Sequence, residues 1–178
     1  MVVLKLPIHR ATRFLLVSPH YPENLGACAR AIKTMGFSEL GLVRPSRLAT
    51  PDHPMAVKMA VKSLDVLQAT KIFDNLDEAL VGSDLVVATT SRRGVSGVLP
   101  PSKVAEHAVG MARHSQRVTI VFGNEKTGLS KSELASAELL LRIPMAADQP
   151  SINLAQATQL VAYELFCKGL EERTRTTP

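Results

Sequence analysis

The chain contains no tryptophan, two tyrosines and five phenylalanines in 178 residues, so aromatics reach only 4%. That scarcity argues against a surface that holds single-stranded bases on a row of stacked rings. Cysteine is equally rare. Cys28 and Cys167 both fall in stretches of helical period, which speaks against a disulfide-stapled scaffold and for free thiols in a reducing compartment. No apolar run approaches the length of a membrane span. No small-residue cleavage site follows the apolar N-terminus, and neither internal repeats nor low-complexity segments occur. A cytoplasmic protein without a membrane anchor is therefore the expectation.

What is present is the composition of a globular domain, 46% hydrophobic and 21% charged, at a length that supports one full core. Lys and Arg outnumber Asp and Glu by 21 to 16, a formal charge of +5, and this basic balance hints at a polyanionic partner. The domain is expected to span 1–170, with 171–178 as a disordered polar tail.

Apolar runs of strand length alternate with helical periods. Strands are predicted at 14–17, 40–43, 71–73, 85–88, 118–122 and 139–143. Helices are predicted at 24–35, 55–63, 75–80 (behind an Asn75 cap), 102–114 and 151–167. The alternation predicts an α/β fold, a parallel Rossmann-like sheet with helices on both faces.

Three turns carry candidate chemistry. In the first, Asn24 is read as the N-cap of a helix whose apolar stripe is Leu25, Cys28, Ala29, Ile32 and Met35, with Arg30 off that stripe. Gly26 inside this helix costs about 1 kcal/mol against alanine, so it calls for a reason such as close approach of another backbone. The second turn, Gly123 to Ser130, follows an apolar β-branched run and carries Glu125; the plain alternative is a solvated loop acid. The third passes Pro144 and Pro150 to Ser151, read as the N-cap of the last helix. Asn153 is left without a capping role.

Gly123 and Gly128 have the spacing of a phosphate-binding loop, but Leu129 stands where such a loop needs lysine. A nucleotide triphosphate is thus disfavoured.

Taken in order, N-x-G-x-x-x-R (24–30), F-G-N-E-x-x-G-L-S (122–130) and I-P-M…S-x-N-L-A (143–155) resemble the three motifs of the SpoU/TrmH family of the SPOUT superfamily. These are RNA ribose 2′-O-methyltransferases. Residues 29–37 are most similar to the branch that methylates the first pyrimidine, position 32, of the tRNA anticodon loop. The resemblance implies a C-terminal deep trefoil knot, S-adenosylmethionine as cofactor with no metal, tRNA as partner, and a homodimer. It implies Asn24, Arg30, Glu125, Ser151 and Asn153 as the catalytic set. Thr89, Thr90, Ser91, Gly123, Gly128, Ile143, Met145, Pro150, Ser151, Ile152 and Leu154 would form the cofactor pocket.

The family proposal gives Arg30 the proton of the attacking hydroxyl. A guanidinium is essentially always protonated, so an electrostatic role suits it better; His20, just before the first turn, is an alternative base. Arg10, Arg13, Arg92, Arg93 and Lys126, with His9 and Lys131, flank the turns and are expected to include phosphate contacts. The competing readings are the same reaction on rRNA or another tRNA position, and a non-catalytic RNA-binding module of this fold. The chain also stops soon after its final helix, where many members of the branch continue.

Overall fold

The computed structural model describes residues 4–176. In chain order it runs α1 (Pro7–Ala11), β1 (Thr12–Val17), α2 (Pro22–Thr34), β2 (Leu40–Val43), α3 (Pro54–Ala60), α4 (Leu64–Gln68) and β3 (Lys71–Phe73). There follow α5 (Leu76–Leu80), β4 (Leu85–Thr89), β5 (Val98–Leu99), α6 (Pro101–Arg113), β6 (Val118–Phe122), α7 (Lys131–Ala135), β7 (Leu139–Leu141) and α8 (Leu154–Thr176). The seven strands form one sheet in the order β3-β2-β1-β6-β4-β7-β5, and every named pairing is parallel.

The largely apolar sequence of β1 and β6 follows from this topology, because both strands are buried at every position and both faces of the sheet are covered. Phe14 and Leu16 join Ile120 and Phe122 in the core beneath α2, α6 and α8. Leu15 and Val17, pointing the other way, pack with Val121, Leu76 and Leu129 on the opposite face. Leu129 is 2% exposed. The position where a phosphate loop would carry lysine is a core residue.

Gly26 has the reason its helix position demanded. A Cβ there would lie 2.0 Å from the Ala56 carbonyl oxygen, so α2 and α3 touch backbone to backbone.

Several expectations are corrected. The helix α2 begins at Pro22 with Tyr21 as its N-cap, which places Asn24 in the first turn rather than at the cap. The last helix begins at Leu154, not Ser151, and its cap is Asn153, whose Oδ1 accepts from the amides of Ala155 at 3.0 Å and Gln156 at 3.3 Å. That helix also continues through Thr176 instead of giving way to a tail at 171; Thr177 and Pro178 of the expected tail lie outside the described residues.

The short elements α1, α4, α7 and β5 were not foreseen. The cap of α7 is a reciprocal Ser130–Glu133 box, a pattern visible in the sequence.

Arg13 and His9 are the remaining corrections. Arg13 is 8% exposed and its guanidinium donates to Thr119 Oγ1 and Ser83 Oγ, so it is spent inside the sheet and unavailable to RNA. His9 is also buried, between the rings of Phe37 and Phe166. Arg10 is exposed on α1, at the amino end of β1.

Candidate active site at the carboxyl ends of the strands

The carboxyl ends of β4, β6 and β7 open into a cleft of about 860 Å³. In open parallel sheets ligands bind outside the carboxyl ends of the strands, and this volume falls in the range of small-molecule sites, about 300–1,000 Å³. Thr89, Thr90 and Ser91 come from the end of β4, Gly123 and Gly128 from the turn after β6, and Ile143, Met145, Pro150, Ser151, Ile152 and Leu154 from the segment leading into α8; all of them line the cleft.

The turn after β6 is folded back on itself. Asn124 and Gly128 form an isolated antiparallel bridge, and a Cβ on Gly123 would sit 2.4 Å from the Gly128 carbonyl carbon. The Asn124 side chain fixes this turn at both ends. Its Oδ1 accepts from the amides of Lys126 and Thr127, and its Nδ2 donates to the Ser18 carbonyl at 2.7 Å.

Glu125 is not a solvated loop acid. Its carboxylate accepts from the backbone amides of His20 at 2.9 Å and Tyr21 at 3.2 Å, and from Asn24 Nδ2 at 3.0 Å. It therefore satisfies donors at the start of α2, where a negative charge is also favoured by the helix dipole. Asn24 passes the link on: its Oδ1 accepts from Asn153 Nδ2 at 2.9 Å. The three sequence motifs are thus joined by a chain of side chains, Glu125 to Asn24 to Asn153 to the first turn of α8. Two amides and one carboxylate can be arranged in this chain in only one donor–acceptor sense.

This chain borders a second hollow of about 400 Å³, lined by Tyr21, Glu23, Asn24 and Asn153, which shares Glu125, Ser151, Ile152 and Leu154 with the main cleft. Arg30 lies elsewhere. It is exposed on α2 and lines a groove of about 650 Å³ between α2 and α8, with Ala27, Ala31, Ala155 and Leu160. Only Ile152 borders all three spaces. The structure therefore brings Asn24, Glu125, Ser151 and Asn153 together and leaves Arg30 on the neighbouring groove. His20 lines none of these hollows; its ring stands perpendicular to that of Tyr21 with centroids 4.8 Å apart.

Positive charge collects on the rim. Arg92, Arg93 and Lys126 are exposed there, and Arg93 is paired with Asp148 across the mouth. Arg142 donates from below to the carbonyls of Arg92 and Val95, which holds the loop carrying those cations. Among the described residues no cluster of His, Cys, Asp or Glu is suited to a metal ion. No described helix is long and apolar enough to cross a membrane.

Cys28 is fully buried beneath α8, its thiol 3.5 Å from Thr158 Oγ1, and burial pushes its pKa up to about 12. It is a core thiol, not a nucleophile.

A family model for SpoU rRNA methylases matches residues 11–163. The chain belongs to the SpoU rRNA methylase family. A tRNA (cytidine/uridine-2′-O-)-methyltransferase TrmJ of Photorhabdus laumondii is 39% identical over 166 residues, 92% of this chain and 67% of the relative. The chain spans about two thirds of the length of the curated relatives it matches. A probable methyltransferase from Bordetella pertussis superposes with a TM-score of 0.86 at 36% identity, covering 91% of this chain and 97% of that one. TrmJ from Z. mobilis superposes with a TM-score of 0.80 at 35% identity, over 94% and 71%.

Proposed function

We propose that this SpoU-family chain is an S-adenosylmethionine-dependent tRNA ribose 2′-O-methyltransferase, acting on the pyrimidine at position 32 of the anticodon loop. The observation that carries this reading is the hydrogen-bonded chain from Glu125 through Asn24 to Asn153, standing at the lip of the strand-end cleft. The TrmJ relatives supply the substrate class.

The cleft suits an adenosyl group. Its walls include Leu129, Leu141, Ile143, Ile152 and Leu154, and its loops offer backbone donors and acceptors, the usual make-up of a site for a largely apolar ligand. Bound there, S-adenosylmethionine would supply an electrophilic methyl group to a ribose 2′-oxygen, becoming S-adenosylhomocysteine as the C–S bond gives way to the new C–O bond, with the hydroxyl proton passing to solvent water.

The chain's own residues must hold oxygen, carbon and sulfur in line, and positioning of this kind contributes about 7–11 kcal/mol to such reactions. Glu125, Asn24 and Asn153 fix α2 and α8 relative to the cleft. Ser151 is exposed where cleft and second hollow meet, which supports a role in bonding the ribose. Arg30 acts as a cation that holds a phosphate and stabilises the developing alkoxide.

Arg30 reaches that role in a homodimer. The groove it lines is mostly apolar and Leu160 on it is 43% exposed, a surface suited to cover by a second copy. We further infer the trefoil knot of the family; the bonds from Arg142 to the Arg92–Val95 loop fit a final segment laid against that loop.

The test is transfer of radiolabelled methyl from S-adenosylmethionine to bulk tRNA, with nucleotide mapping, for wild type and Arg30→Ala. Ribose label at position 32, lost in Arg30→Ala, is the expected result. Label at another position corrects the site, and cofactor binding without transfer to any tRNA overturns the substrate.

A further inference from the structure

Rings are scarce in this chain, and nearly all of those present are used in packing. Phe14, Phe37 and Phe122 are fully buried, Phe14 stacking on Phe122 and meeting Phe37 edge-to-face, while Phe73 and Phe166 pack against the cores. Of the two tyrosines, Tyr163 is exposed on α8, away from the cleft. Tyr21 is the exception in position. It is 39% exposed, it is the N-cap of α2, and it lines the hollow next to the cofactor cleft with Asn24, Glu125 and Asn153.

Its ring is held and primed. The Tyr21 amide donates to Glu125, so the residue is anchored through its backbone and the side chain is free to face outward. The His20 ring stands perpendicular to it with centroids 4.8 Å apart, which limits its rotation. Over the ring stands the Lys126 ammonium, 5.5 Å from the centroid, carried on a long, exposed stem. An exposed cation–π contact is weak, and an ammonium prefers phosphate to a neutral ring. A polyanion arriving at the rim would draw Lys126 off and uncover a rigid π-face beside the reacting centre.

We propose that Tyr21 is the stacking platform for a nucleobase of the substrate RNA, the base attached to the ribose being methylated, with Lys126 exchanging the ring for an adjacent phosphate. This inference rests on the methyltransferase reading. It makes the second hollow a base subsite next to the cofactor cleft. A platform of this kind tolerates either pyrimidine, because every base offers a π-face, whereas hydrogen-bonded readout would discriminate between them.

The test measures binding of the full chain, with S-adenosylhomocysteine present, to a synthetic tRNA anticodon stem-loop. Each loop nucleotide is replaced in turn by an abasic ribose, for wild type, Tyr21→Ala and Tyr21→Phe. In the wild type, one abasic position is expected to weaken binding by about five-fold or more, the effect of losing one stacked base. That position should coincide with the methylated ribose. The penalty should vanish in Tyr21→Ala and persist in Tyr21→Phe. Unchanged affinity of Tyr21→Ala for S-adenosylmethionine by calorimetry confirms that the variant is folded.

Equal abasic penalties in wild type and Tyr21→Ala overturn the platform and leave the activity standing. Loss of the penalty in Tyr21→Phe also overturns it, in favour of a hydroxyl contact. Failure of the wild type to methylate any tRNA removes the reading on which the proposal depends.

Discussion

Asn153 Nδ2 donates to Asn24 Oδ1 at 2.9 Å, while Asn153 Oδ1 caps α8 through the amides of Ala155 and Gln156. One side chain thus both begins the last helix and ties it to the first turn of α2. Its two halves can be separated by substitution. Asn153→Asp keeps an acceptor for the α8 amides, at a helix end that favours negative charge, but sets a carboxylate oxygen against Asn24 Oδ1. Asn24 cannot answer by turning its amide over, because Nδ2 is held by Glu125. Thermal unfolding should therefore change by less than about 1 kcal/mol, while methyl transfer falls at least ten-fold. Asn153→Ala should lose both, with about 1 kcal/mol of stability removed with the cap. Full activity in Asn153→Asp would show that the Asn24 link has no catalytic consequence.

The contact at Gly26 predicts a destabilising alanine. In an ordinary helix interior Gly→Ala gains about 1 kcal/mol, but here the added methyl would lie 2.0 Å from the Ala56 carbonyl oxygen. Two backbones must separate, and overpacking of this kind costs roughly 1–3 kcal/mol or more. The melting temperature of Gly26→Ala should fall by roughly 5 °C for a chain of this size. An unchanged or raised melting point would mean that α2 and α3 part freely.

His9 predicts a pH dependence. Its Nδ1 accepts from the Leu6 amide at 3.2 Å, and its Nε2 is buried without a well-formed hydrogen bond. Burial is the largest influence and lowers its pKa from 6.5, against a smaller opposing pull from the Met35 and Leu4 backbone. The folded state therefore favours neutral imidazole, and the unfolded chain binds more protons once the pH drops below about 6.5. Stability should be fully present above that pH, decline as the pH falls towards the folded-state value, and level off below it. The urea midpoint, followed from about pH 7.5 to about pH 5, should fall more for the wild type than for His9→Gln, which cannot titrate. Parallel curves would assign the pH dependence to other groups.

Arg92 and Arg93 provide the electrostatic test. Both stand on the rim of the cleft. Arg92→Ala combined with Arg93→Ala should weaken tRNA binding and reduce the slope of log affinity against log salt by about 1–2, the share of two phosphate contacts. Arg13→Ala should leave that slope unchanged, since its guanidinium is bonded to Thr119 and Ser83. A double variant with the wild-type slope would move the RNA path off this rim.

Much of the fold is legible in the sequence. Alternation of strand and helix specifies a parallel sheet because buried central strands need near-continuous apolar sequence, as at 118–122. The glycine at 26 announced a close backbone approach because it is costly in a helix without one. Order along the chain does not show direction of burial: by its charge Arg13 belongs with the rim cations, yet it sits in an apolar strand between Thr12 and Phe14, both fully buried. The start of α8 is ambiguous in sequence because Ser151 and Asn153 offer the same capping chemistry; the structure uses Asn153 Oδ1 for the Ala155 and Gln156 amides. The start of α2 is hidden for another reason, since the His20 and Tyr21 amides find their acceptor in Glu125, distant in sequence. Such non-local satisfaction of backbone donors leaves no local periodicity to read. The motif groups Arg30 with the catalytic set, and only the fold shows that it lines a separate groove.

The helix α8 covers Leu25, Cys28 and Ile32 of α2 on one side of the sheet and supplies Asn153 to the site. In order of synthesis it leaves the ribosome after every strand of the sheet. Until it emerges, the apolar side of α2 has no lid and the acid–amide chain has no end. A nascent chain carrying β1 to β7 would hold a sticky, inactive intermediate until α8 is made, so its yield in the cell should depend on chaperones more than its final stability suggests.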